Sequence, residues 1–206
     1  MIKKHYLAFI MIALSWIAQA DQKQGEHVQA EKSSTDQSID ILLSNKTVEA
    51  RYLRDVGLVG TGTQRLLLNG FLNTDNSFQL TAGLSTEVLK DVTPLKSDLK
   101  FSLGGRLYMS RLANPTNNVF SLGLGGGFEF SFPKRIIKLP LYLRGNYYFA
   151  PEVLTSGSDQ DVLDFDILEA QLDLTEKLSG VIGFRELTVA DRNLDNNWDI
   201  GIRYKF

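Results

Sequence analysis

Leu99-Lys100-Phe101-Ser102-Leu103-Gly104-Gly105-Arg106-Leu107-Tyr108-Met109 sorts its side chains by parity. Leu99, Phe101, Leu103, Leu107 and Met109 fall on odd positions, whereas Lys100, Ser102, Arg106 and Tyr108 fall on even ones. A helix turns successive residues through every direction, but a strand sends them alternately to two faces, so this segment reads as a strand with one greasy and one polar side. Its neighbours repeat the pattern. Phe120, Leu122, Leu124, Phe128, Phe130 and Phe132 oppose Ser121, Glu129, Ser131 and three glycines. Ile137, Leu139, Leu141, Leu143, Tyr147 and Phe149 oppose Lys138, Pro140, Tyr142, Arg144, Asn146 and Tyr148.

Working outward, further strands are read at Phe78 to Val88, near Gln64 to Asn73, and at Leu163 to Leu174, Leu178 to Val189 and Trp198 to Phe206. Parity breaks between Ile167 and Leu168, where one extra residue in a β-bulge restores the apolar face. It also breaks across Ser44-Asn45-Lys46-Thr47. A two-residue hairpin at Asn45-Lys46, pairing Leu43 with Val48, returns Ile39, Ile41, Val48, Ala50 and Tyr52 to one face.

The sum is ten antiparallel strands, with eight as the alternative if the first hairpin or two other segments lie outside. Most segments reach the roughly nine to eleven residues with which a tilted strand crosses an outer membrane. Aromatics at strand ends suit an interfacial girdle. Mean hydropathy is −0.10, as expected when lipid-facing and lumen-facing residues cancel. The fold class expected is an all-β, antiparallel transmembrane β-barrel over residues 38–206.

Ahead of it, Lys3 and Lys4, an uncharged run to Ile17 and Ala18-Gln19-Ala20 predict a secretory signal peptide over residues 1–20, cut after Ala20, and hence export. Residues 21–37 are polar and aperiodic and are expected to form a disordered periplasmic tail. Together these place the barrel in a Gram-negative outer membrane. The chain has no Cys and a net charge of −2, so disulfides are excluded and a nucleic-acid partner is disfavoured.

With both termini periplasmic, Pro133 to Ile136 and Glu176 to Lys177 become short periplasmic turns. Arg111 to Asn118, Ala150 to Asp161 and Ala190 to Asn197 become outward loops. The first half reads in reverse, with tight outward turns at Asn45-Lys46 and Asp75-Asn76 and longer inward connections at Val56 to Gly62 and Lys90 to Ser97.

Parity also assigns the lumen. Inward acids are Glu49, Glu87, Glu129, Glu169 and Asp173, and inward bases are Arg51, Lys100, Arg106, Lys138, Arg144, Arg185, Arg203 and Lys205, a basic excess. Charges in so narrow a barrel must pair. A salt-bridged structural plug is therefore expected over an open pore, with a narrow, anion-favouring gated channel as the sharper reading. Glycines such as Gly83, Gly104, Gly123 and Gly125 would make room for the long side chains.

The only histidines are His5 and His27, so no barrel position supplies an imidazole base and no catalysis is expected. Neither cofactor nor metal is expected, although Asp164 with Asp166, or Asp159 with Asp161, could take a hard cation. A surface module binding an external partner or lipopolysaccharide through the outward loops is the runner-up. A soluble periplasmic barrel is a third reading, and it would need an apolar interior and a polar exterior. Oligomeric state is not legible.

The run Tyr147-Tyr148-Phe149-Ala150-Pro151-Glu152-Val153-Leu154 follows the glycine-rich strand Leu122 to Phe132 and precedes Gly183-Phe184-Arg185. With them it resembles the YfaZ family of predicted outer-membrane proteins. The resemblance implies location and fold, with outer-membrane lipid and lipopolysaccharide as surroundings, and it carries no activity. The last strand, with Trp198, Ile200, Ile202, Tyr204 and Phe206 on one face, looks like the signal by which barrel-assembly machinery recognises its substrates.

Overall fold

The computed structural model describes residues 36–206 except 60–61, 93–96, 114–115, 134–139 and 159–160. The signal peptide and nearly all of the tail lie outside the described residues. The strands are β1 (Gln37–Leu43), β2 (Thr47–Val59), β3 (Gly62–Asn73), β4 (Phe78–Val92), β5 (Ser97–Leu112), β6 (Asn117–Ser131), β7 (Leu141–Ala150), β8 (Thr155–Ser156), β9 (Val162–Asp173), β10 (Leu178–Val189) and β11 (Arg192–Lys205). Ten of them pair antiparallel in a closed ring, because β1 joins β11 with Ile41 opposite Ile202. β8 extends the edge left by β7, placing Thr155 opposite Ser121 and Ser156 opposite Phe120. The eight-strand alternative falls, since the first hairpin belongs to the ring. No described helix is long and apolar enough to cross a membrane.

That first hairpin forms as its sequence dictates. Leu43 pairs with Val48, the Ser44 amide donates to the Thr47 carbonyl at 3.0 Å, and the two hydroxyls meet at 2.7 Å. The bulge in β9 is also present: Phe184 pairs with Leu168 but Arg185 pairs with Asp166, which leaves Ile167 unpaired.

Several boundaries move. β1 begins at Gln37, inside the expected tail, and Tyr52 donates its hydroxyl to the Gln37 side chain at 3.0 Å. β2 and β3 run to residues 59 and 62, and β4 and β5 to 92 and 97. The inward connections expected at Val56 to Gly62 and Lys90 to Ser97 therefore shrink to residues 60–61 and 93–96, whereas the short turn expected at Pro133 to Ile136 becomes residues 132–140, since β7 begins at Leu141 and not at Ile137. β5 and β6 likewise shorten their connection to residues 113–116. At Ala190 to Asn197 there is no loop. Ala190 (φ 52°) and Asp191 (φ 57°) form a tight turn of two left-handed residues, and the Asn/Asp-rich stretch after it is strand. Its parity was hidden by a bulge at Leu194, between the pairs Leu187–Asp195 and Thr188–Asn193.

The two faces differ in kind. Leu103 (75% exposed), Ile200 (66%), Trp198 (62%) and Leu124 (61%) stand on the outside, while Asp40 (0%) and Arg185 (2%) are enclosed. Water would penalise such an exterior at about 25 cal/mol per Å² of apolar area. The interior carries buried charges such as Asp40, Glu49, Asp164, Arg185 and Arg203 over its proximal and middle levels. Gly125 and Gly201 allow close approach at inward positions, where a Cβ would collide with the Tyr147 and Ile41 carbonyl oxygens respectively.

Candidate functional site

The candidate site is the lumen, described from the proximal end, which carries Gln37 and Lys205, to the distal end, which carries the turns at residues 45–46, 75–76 and 190–191. Parity on ten strands aims the polar residues of every strand at one axis.

At the proximal end Arg65 holds Asp55 at 2.8 Å and Glu87 at 2.7 Å. Across the barrel, Lys205 reaches Asp173 at 3.3 Å, and the Ser179 hydroxyl donates to Asp173 at 2.6 Å.

A continuous ionic layer crosses the middle. Lys100 pairs with Glu129 at 3.0 Å, Glu129 with Arg144, and Arg144 with Glu169 at 3.3 Å. Glu169 also accepts from Arg51 at 2.9 Å and from Arg203 at 3.2 Å. Arg51 holds Glu49 at 2.6 Å, Glu49 pairs with Arg185 at 2.8 Å, and Arg185 passes to Asp164 at 3.2 Å. Arg106 closes the line on Asp164 at 2.7 Å, and the Tyr108 hydroxyl donates to the same carboxylate at 3.1 Å. Arg203 further clasps Asp40, its Nε donating at 2.6 Å. Every charge named here has a partner, as burial demands.

Above this layer two guanidiniums meet rings. Arg106 lies 3.7 Å from the Tyr148 centroid and Arg185 lies 5.2 Å from that of Phe71. The distal half is then filled by an apolar plug of Phe71, Tyr108, Leu112, Val119, Tyr148, Ala150, Val162, Leu187, Val189 and Leu194, all buried. Beneath it, between Arg51, Arg65, Glu87, Lys100, Glu129 and Arg144, remains a polar cavity of about 100 Å³. That volume suits a few waters.

The inward residues expected from parity are brought together: Glu49, Arg51, Lys100, Arg106, Glu129, Arg144, Glu169, Arg185 and Arg203 in one network, Glu87 and Asp173 in the proximal pairs. Lys138 lies outside the described residues. Parity reading passed over Asp40, Asp55, Arg65, Asp164, Asp195 and Asp199. Asp40 between Ile39 and Ile41, and Asp199 between Trp198 and Ile200, carried the necessary signal. Asp55 falls beyond Arg54, where the first segment was expected to end, Arg65 lies one residue inside the expected strand near Gln64 to Asn73 without a clear alternation around it, and Asp195 lies beyond the Leu194 bulge. Of the described inward charges named here, ten are acids and eight are bases, so the expected basic excess does not hold. Asp195 and Asp199 approach Thr47 Oγ1 at 3.4 Å each, near the distal rim.

Of the proposed cation ligands, Asp164 is committed to Arg106, Arg185 and Tyr108. Asp161 accepts from the Glu152 amide at 2.7 Å, and Asp159 lies outside the described residues. Gly83 makes room as expected, since a Cβ there would lie 3.0 Å from Arg106 Cγ. Trp198, Ile200 and Ile202 are exposed on the outer face, and Tyr204 and Phe206 stack edge to face with centroids 5.2 Å apart.

A search of curated proteins returns no match. The family whose model does match is described as a precursor, in keeping with an exported protein. Its match spans residues 33–204, from just before β1 to the end of β11, and the chain belongs to the YfaZ family.

Proposed function

We propose that this is an integral outer-membrane barrel of a Gram-negative envelope with a structural, non-catalytic role, its lumen closed to solutes in this conformation. The carrying observation is the inversion of faces together with the plug: charge inside, apolar residues outside, and a packed apolar layer across the distal half. Lipid rather than water suits such an exterior. The ionic layer is held by pairing, not by solvent, as in a filled barrel rather than a porin.

Planar bilayers test the reading. The wild-type protein is expected to insert and to show no steady conductance. Stable steps of nanosiemens size, as an open aqueous pore gives, would overturn the closed lumen. A narrow gated channel is the second reading, favoured by the polar cavity under the plug. It predicts rare brief openings that disappear when Arg106 or Arg144 is replaced. A surface module has less to stand on, because the distal connections at residues 45–46, 75–76 and 190–191 are tight turns.

A further inference from the structure

An apolar groove of about 790 Å³ lies on the outer face of β2 to β6. Its floor is made of Ala50, Gly70 and Ala82, brought side by side because Ala50 pairs with Gly70 and Leu68 with Ala82. Leu80 and Met109 wall it, and Leu154, from the turn after β7, overhangs it. An apolar depression on a membrane barrel is covered by lipid in any case, so the groove alone selects nothing.

Arg111 supplies the selection. It follows Met109 by two residues on the same face of β5, opposite Phe78, and stands exposed in the row immediately distal to the groove. No carboxylate among the described residues pairs with it. A guanidinium at the head of an apolar groove matches, in charge and in order, a phosphate above an acyl chain. Its planar fork binds phosphate in two-point fashion.

We propose that this face holds one phosphorylated lipid of the outer leaflet, its phosphate on Arg111 and one acyl chain laid over Ala50, Gly70 and Ala82. The assignment rests on the outer-membrane reading, which puts the distal rim at the level of the outer-leaflet headgroups.

The test titrates delipidated protein in non-ionic detergent with hexa-acylated diphosphoryl lipid A, and in parallel with the same lipid stripped of phosphate. Bound copies are counted by native mass spectrometry. One copy of the phosphorylated lipid is expected, bound about tenfold more tightly than the stripped form. Arg111→Gln should abolish that preference, and Ala50→Leu with Ala82→Leu should weaken both lipids. Should the double variant fail to fold, Ala82→Leu alone, at an exposed position, gives the same readout. Unchanged preference in Arg111→Gln, or unchanged binding in the filled groove, overturns the proposal. So does a dimer that the filled groove disrupts, because a second copy would then be the occupant. Failure of the wild type to insert into liposomes, read separately by protease protection, would instead overturn the outer-membrane reading.

Discussion

Arg185 sits under Phe71, its guanidinium 5.2 Å from the ring centroid, while the same side chain bridges Glu49 and Asp164. One residue thus joins the ionic layer to the apolar plug, and the two cannot be perturbed independently.

Truncating Phe71 to Ala should therefore do two things. Removing a large side chain that is 2% exposed costs about 3–5 kcal/mol, and it uncovers Arg185. The heat-modifiability midpoint in detergent should fall, and brief conductance events should appear in bilayers where the wild type shows none.

Glu169 accepts from Arg51, Arg144 and Arg203. Glu169→Gln keeps the shape but leaves three buried guanidiniums short of charge, so a loss of about 3–5 kcal/mol is expected. Adding Arg144→Met should recover part of it. A double-mutant cycle on urea unfolding in micelles measures the coupling, and strict additivity would show that the pair is not coupled.

Leu103, at 75% exposed the most open strand leucine among the described residues, reports the surroundings of the barrel. In lipid, Leu103→Arg should cost about 2–4 kcal/mol near the bilayer midplane. Were this face in water, the same change would be neutral. Folding into liposomes, compared between the two proteins, decides it.

Ala190 and Asp191 both adopt left-handed backbone without being glycine. Asp191→Gly should relieve about 1 kcal/mol of strain, and Asp191→Val should add to it. Thermal midpoints of the purified barrels order the three proteins.

Most of the architecture was legible because lipid and lumen impose a period of two on nearly every strand. The Leu43–Val48 pair and the bulge at Ile167 followed directly from where parity broke. Strand ends were harder to place, since residues beyond the apolar belt, such as Arg192 to Asn197, are polar on both faces apart from Leu194 and look like loop. The ionic network was half legible: parity shows which residues point inward, but the distances that make Glu169 a hub depend on how strands far apart in sequence face one another across the lumen. The plug was not legible at all. Val119, Leu187 and Val189 are apolar residues at inward positions near strand ends, where the alternation rule assigns polar ones.

The Asp40–Arg203 pair couples residues 163 apart in sequence, and it lies just where β1 meets β11, with Asp40 directly opposite Arg203. It is an internal latch on the seam between first and last strands. An intermediate lacking that pairing would carry a buried-to-be carboxylate and guanidinium on two open edges, each seeking a countercharge. Closing the ring therefore buries one matched carboxylate and guanidinium at its seam, and opening the seam would separate them inside the lumen.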